Sequence, residues 1–143
     1  MKKTLFLFIT ILGTIFSQDF YNPAIEWTGE SQLIIFQSSI SGLEVGDEIG
    51  IYDSNGVIDS YANTGEILVG PVSQNGSEFS SVWTGVQMNP VSIGAVDLSQ
   101  FGGPILPGYQ EGNPLVIKVY RESTGMEYNT SVIYSAGTGT FGD

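Results

Sequence analysis

Leu115, Ile117 and Val119 alternate with Val116, Lys118 and Tyr120, and Tyr128, Thr130, Val132 and Tyr134 repeat the two-residue period soon after. Successive side chains on a strand point to opposite faces, so this spacing lays down a ribbon with one buried side. Glu122-Ser-Thr-Gly125 between them is a short glycine-containing loop, and 115–135 reads as a hairpin. The same habit fills the chain: short apolar runs broken by Gly, Pro, Asn, Asp and Ser clusters. They predict strands near Ala24–Thr28, Gln32–Ile40, Glu48–Tyr52, Val57–Tyr61, Gly65–Val69, Glu78–Thr84, Val91–Val96, Leu115–Arg121 and Glu127–Ser135. Past residue 17 no window carries a 3.6-residue apolar stripe, and 19 glycines and 6 prolines oppose long helices. The expected fold is all-β: an antiparallel β-sandwich, immunoglobulin-like or jelly-roll-like, of about seven to nine short strands.

The front end is different. MKKTLFLFITILGTIFS has a positive start at Lys2 and Lys3, an apolar run over Leu5–Leu12, and small Ser17 before polar Gln18-Asp19. Those are the three parts of a secretory signal, and the apolar run is short of the roughly 20 residues that span a bilayer. Residues 1–17 are therefore expected to be a signal peptide cleaved after Ser17, with a domain over 18–135. The ending, Ala136-Gly-Thr-Gly-Thr-Phe-Gly-Asp143, reads as a flexible continuation with no stopping element, as in a truncated chain or the first module of a longer one. Secretion or display at the cell surface is the expected destination.

Removing the leader takes two of the four Lys and Arg and none of the fifteen acids, so the net charge moves from −11 to −13. Only Lys118 and Arg121 remain as cations. Phosphate neutralisation needs several basic side chains on one face, so nucleic acid is excluded as a partner class, as is an anionic membrane surface. The processed chain is not expected to be membrane-embedded. Other extracellular modules, surface polymers or glycans are the expected partners. No cysteine is present, so no disulfide supports the core. No histidine is present either, which removes Ser-His-Asp chemistry and His-ligated zinc.

Residues 46 to 61, GDEIGIYDSNGVIDSY, raise the question of calcium. An EF-hand loop starting at Asp53 matches at Asn55 and fails afterwards, with Val57, Ile58 and Thr64 where Asp or Asn, Gly and Glu are required. Asn55-Gly56 between apolar runs fits a tight hairpin turn instead. The remaining metal reading is a composite calcium site using Asp53, Asn55 or Asp59 with a distant acid, because calcium takes six to eight oxygens from separate loops. No other cofactor is expected.

Ser99 to Pro114, SQFGGPILPGYQEGNP, breaks the strand rhythm over sixteen residues. Long connections are commonly functional. Phe101, Ile105, Leu106 and Tyr109 make this one apolar enough to pack across a sheet edge. Trp83, Phe101 and Tyr109 are the candidate ligand-binding residues, as a stacking platform for sugars; packing in the core is the plainer role for Trp83, and more so for Trp27. A non-enzyme is expected. A small glycoside hydrolase is the enzymatic alternative, though nothing marks one pair of carboxylates among the fifteen acids. Lys118, mid-strand, could cross-link to an Asn, but a lysine lying along a mixed face explains it without chemistry.

Two stretches together carry a resemblance. Leu43-Glu-Val-Gly-Asp-Glu-Ile-Gly-Ile-Tyr-Asp53 resembles the GDEIGVFD opening of uncharacterised modules in secreted proteins of Bacteroidota-like bacteria. Gly108-Tyr-Gln-Glu-Gly-Asn-Pro-Leu-Val-Ile-Lys-Val-Tyr120 resembles their GF-x-E-G-E-x-I-x-F-x-V-Y/W stretch. The likeness spans roughly residues 25 to 135. It implies an exported β-sandwich module of the kind found in large cell-surface proteins, some sorted by the type IX route, and no activity. The cysteine that often follows the first hairpin is absent, with Ile58-Asp59 near its place. The acidic W-x-DDP segment is replaced by Ile93-Gly-Ala-Val-Asp97. The function expected is a non-catalytic structural, adhesive or spacer role, the alternative a glycan- or other ligand-binding module assisted by calcium.

Overall fold

The computed structural model describes residues 20–72 and 80–143. The expected leader and the first residues of the expected strand Glu78–Thr84 lie outside the described residues. What is described is all-β. Strands β1 (Ser31–Leu33), β2 (Glu48–Val57), β3 (Thr64–Gly70), β4 (Val91–Ile93), β5 (Val96–Asp97), β6 (Ile105–Leu106), β7 (Leu115–Arg121) and β8 (Met126–Asn129) are joined by loops, with one 3-10 turn at Ser99–Phe101. All pairings between these strands are antiparallel. A four-stranded sheet in the order β3-β2-β7-β8 forms the centre, and β1-β4 and β5-β6 are separate two-stranded pairs.

The alternation read from the sequence sets what each face of the central sheet does. Ile49 and Ile51 of β2, Leu115 and Ile117 of β7 and Val69 of β3 join Phe36, Trp83, Tyr109 and Phe141 in one buried cluster. Burial of each such side chain is worth about 1.5–3 kcal/mol. The opposite face carries Gly50, Tyr52, Lys118 and Tyr120. The segment before β1 lies on this face: Phe20 stacks on Tyr120 with ring centres 4.0 Å apart. The Tyr21 ring covers Gly50 so closely that a Cβ there would meet it at 2.8 Å. The Tyr21 hydroxyl donates to Glu127 at 3.0 Å.

Several expectations need correction. Asp53-Ser-Asn-Gly56 is not a hairpin turn: β2 runs through it to Val57, with a register shift between Asp53 and Gly56. Gly56 is absent from the residues with positive φ. It is required for space, because a Cβ would come 2.6 Å from Ile67 and 2.7 Å from the Gly108 carbonyl. The turn comes later, where Ile58 N–H donates to the Asn63 carbonyl at 2.9 Å. No strand forms over Ala24–Thr28, and of the expected Gln32–Ile40 only the first residues are strand. After Asn129 the chain leaves the ladder, and hydroxyls reinforce its contact with β7: Thr130 Oγ1 joins its own N–H in donating to the Ile117 carbonyl, at 2.7 Å, and the Tyr134 hydroxyl donates to Leu115 at 3.2 Å.

The last residues, expected as a flexible continuation, return to the core. Leu115 N–H donates to Gly139, Gly112 N–H to Phe141 and Phe141 N–H to Asn113, at 2.8–2.9 Å. Phe141 is buried and stacks on Tyr109, ring centres 4.4 Å apart. The glycine- and proline-rich 99–114 stretch is likewise built in. Gly108 exchanges backbone bonds with Val57, and a Cβ on it would fall 2.3 Å from the Gly94 backbone.

Candidate functional site

The residues expected to form a ligand platform are separated by depth. Trp83 is 3% exposed, and buried Tyr109 sits beside it in the core cluster. Burial raises the Tyr109 phenol above its ordinary pKa, with Glu30 and Glu111 adding to the shift. Both rings are core, as period-two burial of large aromatics favours. Phe101 alone stands out, 88% exposed at the end of the 3-10 turn. Asp97 holds the start of that turn by accepting the Ser99 N–H at 2.8 Å, and Gly102 closes it with φ of +74°.

Exposed aromatics also lie outside that trio. Tyr61 is 85% exposed in the loop between β2 and β3, and Trp27, expected in the core, is 46% exposed before β1. Asp59 shapes the Tyr61 loop by accepting the N–H groups of Tyr61 and Asn63 and the Asn63 side-chain amide. Those bonds, the Asn63 amide first, hold its carboxyl below the usual range. The Asp-x-Tyr-x-Asn spacing was the available signal, since a side chain that bonds its own turn leaves the residue between pointing outward.

The expected calcium ligands Asp53 and Asp59 accept hydrogen bonds from different parts of the chain. Asp53 is fully buried. Its Oδ1 accepts Asn55 N–H at 2.8 Å, its Oδ2 accepts Gln110 N–H at 2.9 Å, and Asn113 Nδ2 reaches both oxygens at 3.0 and 2.9 Å. Asp59 has turned to its own loop. Among the described residues no group of three or more His, Cys, Asp and Glu comes together as a metal-ligand set.

The other buried carboxylates also hold the chain together. Asp47 takes both nitrogens of a forked contact with Arg121, Nε at 3.0 Å and Nη2 at 2.8 Å, and accepts Glu44 N–H at 2.8 Å. Arg121 further donates to the Gly42 carbonyl and pairs with Glu44. The Arg121 bond keeps the Asp47 carboxyl below its ordinary pKa against the opposing effect of burial. Glu48 accepts the N–H groups of Phe20 and Tyr21 and the Ser81 hydroxyl, fixing the N-terminal segment to the start of β2. Lys118 pairs with Glu66 at 2.7 Å and lies 4.3 Å from the centre of the Tyr52 ring. Burial alone would depress its ammonium; Glu66 outweighs that and leaves the pKa raised.

The arrangement is therefore a set of loop clamps inside and scattered aromatics outside. No protein-family model matches the chain, and searches of curated proteins and of solved structures find no match either. Among the described residues no helix is long and apolar enough to cross a membrane.

Proposed function

We propose that this chain is an exported, non-catalytic β-sandwich module with a structural, adhesive or spacer role outside the cell. One observation carries the reading. Asp47, Glu48 and Asp53, the buried carboxylates of the first motif, all accept bonds from backbone N–H groups, Arg121, Ser81 or Asn113 that tie distant loops to the sheet. Carboxylates held in this way serve the shape of the molecule. The leader-like residues 1–17 and the net charge of −13 that follows their removal support export. N-terminal sequencing of the exported product is expected to begin at Gln18.

A second reading is a module that binds glycans or other ligands, and the exposure of Tyr61 and Phe101 favours it. Thermal melting with calcium, with chelator and with a glycan panel separates the two. A ligand that binds only the folded state at a hundredfold excess over its Kd adds about 2.7 kcal/mol of stability and raises the melting temperature. Flat curves in every arm support the structural role. A shift abolished by Tyr61→Ser or Phe101→Ser establishes the binding role in its place.

A further inference from the structure

Asn55-Gly56 looks like turn chemistry but lies inside β2, and its conformation leaves the pair without the role its sequence suggests. The register shift between Asp53 and Gly56 puts Asn55 on a bulge, where it is exposed. Its side-chain amide has no hydrogen-bond partner among the described residues. Its backbone is held tightly. The Asn55 N–H donates to Asp53 at 2.8 Å, and its carbonyl accepts Gln110 Nε2 at 2.6 Å and Asn113 Nδ2 at 3.2 Å.

We propose that Asn55 is a self-modifying site whose rate is set by the clamp from Gln110 and Asn113. The next residue has no Cβ to obstruct ring closure. The Gly56 backbone nitrogen loses its proton as it attacks the Asn55 side-chain carbonyl carbon. A nitrogen–carbon bond forms, the bond from that carbon to Nδ2 breaks, and ammonia leaves. The five-membered imide that results is opened by water at either carbonyl. One opening gives Asp at this position; the other gives an isoaspartyl linkage with the side chain's methylene in the main chain. No electrons are exchanged, and water is the only co-reactant. Ring closure requires the Asn55–Gly56 peptide to rotate, and the two bonds on the Asn55 carbonyl oppose that rotation. Conversion therefore proceeds through local opening of the clamp. Once made, the isoaspartyl form displaces the carbonyl that Gln110 and Asn113 grip, so the 110–113 loop cannot close on it as before.

The test follows the processed protein through incubation in mildly alkaline buffer, with peptide mapping that separates amide, Asp and isoaspartyl forms at position 55. The wild type is expected to convert slowly. Gln110→Ala, which removes an exposed single bond, is expected to convert roughly five- to tenfold faster, the ratio expected from losing about one hydrogen bond of local stability. Asn55→Gln is expected to stay unmodified at that position. Conversion in denatured protein while both folded forms keep the amide would overturn the proposal. So would equal rates in wild type and Gln110→Ala, or conversion confined to the other Asn-Gly pair, Asn75-Gly76. The inference does not depend on the functional reading above.

Discussion

Asn113 grips Asp53 across 60 residues of sequence, one of several bonds that hold the 110–113 loop. Asn113→Ala leaves a fully buried carboxylate short of two bonds, which is expected to cost about 1.5–3 kcal/mol. Chemical denaturation, read as a lower midpoint at unchanged slope, checks it. Asp47 makes a pH prediction. Arg121 holds its folded-state carboxyl below the unfolded value, so the contribution is present above about pH 4 and is lost as pH falls through the lower folded value. Melting temperatures measured from about pH 6 down to about pH 2 should fall on this limb, and less steeply in Asp47→Asn. Phe101→Ser, in contrast, should change stability by less than about 0.5 kcal/mol, because the ring touches little.

The segment bearing Phe20 and Tyr21 has no ladder partner among the described residues and is held by ring packing and by bonds to the Glu48 and Glu127 carboxylates. Gly50→Ala pushes a methyl into the Tyr21 ring and is expected to destabilise by about 1–3 kcal/mol. Limited proteolysis should then cut within Asn22–Trp27 while the central sheet stays protected. Elements whose partners are near in sequence were the legible ones. β7 was readable to the residue, and β3 to within one at each end, because a period of two next to a short loop decides both burial and pairing. The acidic stretch was misread because its outcome is decided by residues far away. Asn55-Gly56 is a turn by local rules, but Gln110, Asn113 and Gly108 draw β2 onward past it. In the candidate site Trp83 is buried, which was its plainer expected role, whereas exposure of Phe101 and burial of Tyr109 follow from packing that a list of aromatics does not encode.

Across the whole molecule both described cations are already engaged, Lys118 with Glu66 and Arg121 with Asp47 and Glu44. The remaining acids have no cationic partner among the described residues, and their like charges repel. Added salt screens this repulsion more than it weakens the partly buried pairs, so the unfolding midpoint of the protein is expected to rise with sodium chloride. A fall would mean that the ion pairs dominate. The seat of Phe141 against Tyr109 has a consequence of another kind. During synthesis the hydrophobic interior lacks one wall until residue 141 has left the ribosome. Until then Tyr109 is without the ring it stacks on, and the strands before it must pair around an uncovered aromatic face.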